Sequence, residues 1–268
     1  MSDKASQYGT DANLAKRIAI YRYSTSPVRW NTWFLDQAGI PPGSTVLDVG
    51  CGNGMLWTAQ QDTRSSTYEL HLVDASAGMI AAAREALAGQ PLQCQFSVAS
   101  IEDLPFPAGQ FDVVIANHML YHVVELDQGL SEIARVLKAD GVLLASTNGA
   151  NHMRELQAWM RQAHMSTWRF MSRIADKFGL ENGAEPLSRL FQDVQVHRYQ
   201  ERLEVPEVQP VLDYVASIFN ADAAPTAEAM HTLGLLLQAE LQSRGILRIE
   251  LDSGFFECRR LKGESAAT

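Results

Sequence analysis

Val46-Leu47-Asp48-Val49-Gly50-Cys51-Gly52-Asn53-Gly54 is the stretch whose reading decides the fold. Val46, Leu47 and Val49 have the apolar character of a buried parallel strand, and the turn formers Pro41-Pro42-Gly43 precede them. Three glycines at alternate positions then let the backbone turn sharply and approach a ligand with no Cβ in the way. Asp48 stands out, because a carboxylate inside a buried strand is costly unless it is hydrogen-bonded or paired. It therefore belongs at a polar site beyond the strand's carboxyl end, where open α/β sheets bind their ligands.

Working outward, strand and helix patterns alternate. A helix runs from about Met55 to Gln60, and Tyr68–Val73 reads as a second strand that ends at Asp74. Ser76 caps a helix from Ala77 to about Leu87, Leu92–Val98 is a third strand, and Phe111–Ala116 is a fourth. A helix with one apolar stripe (Leu130, Ile133, Ala134, Leu137) leads to a fifth strand, Val142–Ser146.

The combination of Asp48 with Gly50-x-Gly52-x-Gly54, Asp74, Leu104-Pro105-Phe106 and the fourth-strand end resembles the class I S-adenosylmethionine (SAM)-dependent methyltransferase family. It differs from the dinucleotide fingerprint, in which the third glycine comes one residue later. The resemblance covers about residues 40–148 and, more weakly, the closing strands. It implies an α/β fold with a Rossmann-like, mostly parallel seven-stranded sheet, helices on both faces and a helical lid. It also implies S-adenosyl-L-methionine as cofactor, held at Asp48, Gly50, Gly52 and Gly54. Asp74, 20 residues after Gly54, suits the ribose hydroxyls, and Met79 corresponds to the family's apolar residue against the adenine. Ser100 takes the place of the family's adenine-binding acid, with the backbone of Ile101 beside it; a neutral acceptor there is weaker than a carboxylate. Leu-x-Glu-Ile-x-Arg-Val-Leu-Lys-x-x-Gly over Leu130–Gly141 is a structural signature of the same family.

The fourth strand ends in Asn117-His118-Met119-Leu120-Tyr121-His122, a dense polar and aromatic run. In the family this end faces the sulfonium and the acceptor. Asn117 is assigned to the cofactor, and His118, Tyr121 and His122 are the candidate catalytic groups, with a histidine as base for a hydroxyl acceptor.

Two helices precede the first strand. One starts at Asp11 or Asn13 and runs to about Tyr23; the other opens at Ser26-Pro27 and runs to about Ala38. Their aromatics suggest a lid, with Tyr21, Arg29 and Trp30 as substrate contacts. Residues 151 to about 190 interrupt the alternation with helices, and Asn148, His152 and Trp168 are further substrate candidates. A strand over Val194–Val205, helices over Pro206–Phe219 and Thr226–Gln242, and strand character at Ile246–Leu251 and Phe255–Arg260 follow, with Asp252-Ser253-Gly254 as a turn. The expected organisation is lid helices over 1–40, the cofactor-binding domain over 41–148 and 191–262, a helical cap over 149–190 and inserted helices over 206–243.

The 268 residues are 46% hydrophobic and 20% charged, with a net charge of −9 and no basic run, which argues against a nucleic-acid partner. The three cysteines, Cys51, Cys94 and Cys258, are far apart and form no metal-type pair, so no metal site is expected. The first residues have no apolar core and no stretch is long enough to span a membrane, so a cytoplasmic protein with no membrane partner is expected. The expected state is monomer or homodimer. The leading function is methyl transfer from the sulfonium to a small-molecule metabolite. The alternative keeps SAM and changes the bond: its own amino group displaces methylthioadenosine and closes azetidine-2-carboxylate. A binding module without turnover is disfavoured by the intact glycines.

Overall fold

The computed structural model describes residues 17–58, 67–165, 175–219 and 224–262. The expected caps at Asp11 or Asn13, and Trp168, lie outside them. Seven strands form one sheet: β1 (Thr45–Val49), β2 (Glu69–Asp74), β3 (Gln93–Val98), β4 (Phe111–Asn117), β5 (Leu137–Asn148), β6 (Phe191–Val205) and β7 (Leu247–Leu261). Their order is β3-β2-β1-β4-β5-β7-β6. β1 to β5 pair in parallel, and β7 runs antiparallel to β5. This is the expected mostly parallel Rossmann-like sheet. The order reverses at β1, whose neighbours β2 and β4 lie on either side, and the glycine loop leaves the sheet there. That is the switch point at which doubly wound sheets bind ligands.

The helices are α1 (Trp30–Ala38), α2 (Met55–Thr58), α3 (Ala77–Ala86), α4 (Leu126–Val136), α5 (Arg154–Gln162), α6 (Ala184–Leu190), α7 (Gln209–Ser217) and α8 (Ala227–Arg244). Ser76 caps α3 as expected, its hydroxyl accepting from Met79 N at 3.3 Å.

The chain divides into two compact units. The larger comprises residues 28–149, 174–199 and 253–268. One core there gathers Leu47, Val49, Val114, Leu130, Ile133, Leu143 and Phe256. A second gathers Phe34, Val46, Trp57, Leu70, Leu72, Ile115 and Phe255. Apolar side chains thus leave β1 in both directions, as a strand buried on both faces requires. The smaller unit comprises residues 1–27, 150–173 and 200–252, around Ile20, Leu156, Met160, Leu203, Val215, Leu233 and Ile249.

Two local expectations are corrected. Ser26-Pro27 does not open a helix: α1 starts at Trp30 with Arg29 at its N-cap position. Upstream, Ser24 makes a β-bridge to Leu203 and Thr25 N donates to Arg202 O, so the chain is held extended there. The Tyr199 hydroxyl donates to Val28 O at 2.5 Å, fixing the approach to Trp30. Asp252-Ser253-Gly254 is not a turn either; β7 is continuous through it. Ser253 and Gly254 pair with Asn148 and Thr147, and a Cβ at Gly254 would collide with the His197 carbonyl oxygen. The glycine serves a close backbone approach between strands, which its neighbours in sequence disguise as a turn.

Candidate active site

Gly50, Gly52 and Gly54 have φ of 70°, 56° and 75°, the left-handed region that only glycine enters without strain. The loop is pinned to the end of β2, since Gly50 N and Cys51 N both donate to Val73 O at 2.7 and 3.0 Å. A Cβ at Gly50 would meet the Met119 side chain at 2.8 Å, and one at Gly54 would press on Leu87 and Ala83 at 3.2–3.3 Å. A Cβ at Gly52 would meet nothing within 4 Å. The outer glycines are therefore closed in by protein, and the middle one faces open space.

Asp74 fastens the same loop. One carboxylate oxygen accepts from Gly52 N at 3.0 Å and the other from Ser76 N at 2.8 Å. A carboxylate oxygen has two lone pairs, so capacity remains for hydroxyl donors. Asp48 is 2% exposed. Its Oδ2 accepts from the indole N–H of Trp57 at 2.8 Å, and its Oδ1 is buried with no hydrogen-bond partner. Burial pushes its pKa up to about 7; the Trp57 hydrogen bond opposes the rise and the nearby Asp74 adds to it. Cys51, inside the loop, has its thiol pushed far up by burial and by Asp48 and Asp74, so it is an inert packing residue.

At the end of β4, Asn117 Oδ1 accepts from Ser146 Oγ at 2.6 Å and from Trp30 Nε1 at 3.4 Å. With its oxygen so engaged, the donors of the Asn117 side chain are its amide N–H2 hydrogens. His118 follows with φ 52°, strained for a residue with a side chain, and its N–H donates to Ser146 Oγ at 2.8 Å. Its ring lies 4.9 Å from that of Trp30. Leu120–His122 is a single 3-10 turn that sets the Tyr121 and His122 rings 4.5 Å apart. Trp30, Asn117, His118, Tyr121 and His122 are all half-buried.

After β3, Ser100 Oγ lies 3.3 Å from Glu102 Oε2 and accepts from Glu102 N at 3.2 Å. Glu102 Oε1 accepts from Val124 N and Glu125 N at 3.2 and 3.0 Å, tying this segment to the start of α4. Ile101 is buried in the core, and Met79 is half-buried in the first turn of α3. Asn148 accepts from Ser253 Oγ at 2.9 Å, and Arg29 is exposed at the start of α1. Tyr21 and His152 belong to the smaller unit. His152 is half-buried; its Nδ1 accepts from Asp252 N at 3.3 Å, and desolvation pushes its pKa down to about 4. Among the described residues no group of three or more His, Cys, Asp or Glu is placed to hold a metal.

Four supports escaped the sequence reading. Trp57 and Ser146 carry no motif. Glu132 and Arg135 were readable only as a signature: Glu132 accepts from Leu104 N at 2.8 Å, and Arg135 donates to Leu104 O and Phe106 O at 2.9 and 2.7 Å. The Glu-x-x-Arg spacing is thus a clamp on the Leu104-Pro105-Phe106 segment, and its i,i+3 period was the available signal.

This geometry defines the class I SAM-dependent methyltransferase fold, with the glycine loop and its two acids at the switch point. A family described as a methyltransferase domain matches residues 47–145. That stretch matches a methyltransferase domain, in keeping with the family its motifs resemble. The ubiquinone/menaquinone biosynthesis C-methyltransferase UbiE of Laribacter hongkongensis is 35% identical over 115 residues, covering 43% of this chain and 47% of the relative. The chain therefore spans about half the length of that relative. The protein of the same name from Burkholderia mallei is 26% identical over 189 residues, 69% of this chain and 74% of the relative. In fold the chain is similar to Haemonchus contortus phosphoethanolamine N-methyltransferase 2, solved with phosphomonomethylethanolamine and S-adenosylhomocysteine. The TM-score is 0.60 at 21% identity, over 96% of this chain and 59% of that one. No described helix is long and apolar enough to cross a membrane.

Proposed function

We propose that the chain transfers the methyl group of SAM to a small-molecule acceptor in line with the departing sulfur. The observation that carries this reading is the unpartnered, buried Oδ1 of Asp48, in the strand that leads into the glycine loop whose middle residue, Gly52, has open space where a Cβ would be. A buried acceptor left unsatisfied is costly, and the ammonium of a methionine moiety supplies the missing donor. The residues present therefore fit this cofactor.

When bound, SAM supplies an electrophilic methyl carbon on a sulfonium. The protein's share is orientation and environment. Asp48 and the glycine loop hold the methionine end, and Asp74 takes the ribose hydroxyls with its remaining lone pairs. Ser100, Ile101 and Met79 border the adenine. Asn117 presents amide donors where β4 ends, and His118, Tyr121 and His122 surround the reacting atoms. A histidine there takes a hydroxyl proton as the bond forms, whereas a carbon or amine acceptor needs alignment and exclusion of water. Arg29, Trp30 and Asn148, all in the larger unit, are the proposed acceptor contacts. The relatives' name makes carbon acceptors of quinone biosynthesis the first compounds to try.

The test is a product assay with purified protein, SAM and a panel of carbon, oxygen and nitrogen acceptors. Acceptor-dependent S-adenosylhomocysteine is the expected product. Methylthioadenosine released from SAM alone, without S-adenosylhomocysteine, would replace methyl transfer by the cyclisation reaction.

A further inference from the structure

The Trp57 side chain reaches the site at one atom, and that contact is specific. Its ring is fully buried, at 0% exposure, in the core behind β1. Its only polar side-chain atom, Nε1, donates to Asp48 Oδ2 at 2.8 Å. Asp48 thus has one oxygen tethered to the core and one left without a donor. The tether fixes which oxygen is offered, because the carboxylate cannot rotate without abandoning that hydrogen bond. A core of this kind would be filled as well by phenylalanine; the indole nitrogen is the part that packing alone does not require.

We propose that Trp57 is a positioning residue that holds Asp48 in its charged, ligand-facing state and so sets the pH below which the chain loses the amino-acid end of its cofactor. This rests on the SAM reading of the site. The charged form of Asp48 is opposed by burial and by Asp74 on β2, and the Trp57 N–H is the one favourable contribution. The titratable groups facing Asp48 among the described residues are Asp74 and, in the loop, Cys51, which burial keeps as a neutral thiol. Neither supplies a positive charge. The indole N–H is therefore what the carboxylate has to stay ionised before a ligand arrives, and a hydrogen bond to a charged group is of the stronger kind.

The test uses Trp57→Phe, which keeps a large ring and removes the donor. In the protein without cofactor, the Asp48 side-chain carboxyl carbon is followed by NMR against pH. The substitution is expected to move its titration midpoint up by roughly one pH unit or more. Binding of S-adenosylhomocysteine, measured by calorimetry, should weaken at a correspondingly higher pH in Trp57→Phe and match the unaltered protein at alkaline pH. Methylthioadenosine, which lacks the amino acid, should bind equally to both proteins at every pH. An unmoved Asp48 midpoint, or a change shared by methylthioadenosine, overturns the proposal. If Trp57→Phe does not fold, the unaltered protein decides: the Trp57 indole N–H resonance must shift with the same midpoint as Asp48, and an indole signal that ignores that titration overturns the proposal. Failure of S-adenosylhomocysteine to bind the unaltered protein would remove the SAM reading, while the NMR midpoint would still decide the role of Trp57.

Discussion

Asp48 in the larger unit and His152 in the smaller are both ionisable groups from which water has been withdrawn, and in both the uncharged form is favoured. The carboxyl is pushed up to about 7 and the imidazole down to about 4. They differ in what accompanies the burial. His152 Nδ1 has a backbone donor in Asp252 N, which places the proton of the neutral ring on Nε2. Asp48 Oδ1 has none. Desolvation matched by a partner belongs to a settled fold, whereas desolvation with a partner missing marks the place where a ligand completes the structure.

The sharpest way to break this contrast is Gly52→Val. The added Cβ enters open space, so the protein folds at a cost of about 1–2 kcal/mol for the left-handed backbone. S-adenosylhomocysteine binding is expected to fall more than about 100-fold, because the side chain occupies the ligand's place. Normal binding by that variant would remove the loop from the site.

Asp48→Asn comes next, read through stability without ligand. An aspartate in water titrates near 3.8, and folding raises Asp48 to about 7, so between those values the folded state holds a proton that the unfolded chain has lost. Its contribution is fully present below about pH 4 and is lost as pH rises through about 7, on the order of a few kcal/mol in all. Thermal unfolding of Asp48→Asn should lack that decline, and an unchanged slope would deny that Asp48 is the titrating group.

Asp74→Ala should weaken S-adenosylhomocysteine binding by about 1–3 kcal/mol, the cost of leaving ligand hydroxyls and the Gly52 N–H without their acceptor. Unchanged calorimetry would take Asp74 off the ribose. The smallest effect is expected from His152→Leu. The histidine's pKa is lowered by folding, so its contribution is present above about pH 6.5 and is lost as pH falls through about 4. The substitution should flatten that acid limb, measured by unfolding at several pH values, with no change in cofactor affinity at neutral pH.

The same contrast explains what was legible in the sequence. Requirements on backbone conformation leave residue-type traces: the three glycines need positive φ, and Asp48 and Asp74 are acids at strand ends. The parallel strands read as apolar runs because both faces are covered. Side chains that act through a partner leave no such trace. Trp57 looks like any core aromatic, and Ser146 orients both Asn117 and the His118 backbone from a strand that reads as plain core. Ser26-Pro27 had the local chemistry of a helix start, yet pairing of Ser24 and Thr25 with Leu203 and Arg202 took precedence. Asp252-Ser253-Gly254 had the chemistry of a turn, yet its glycine was needed for contact with His197. In both places a long-range contact outweighed a local preference.

The most direct measurement is a calorimetric titration of the unaltered protein with S-adenosylhomocysteine from about pH 5.5 to about pH 8.5. The account predicts binding that strengthens as pH rises to about 7 and then levels, as Asp48 gives up the proton that competes with the ligand's ammonium. Absence of binding, or an affinity that ignores pH across that range, would contradict it.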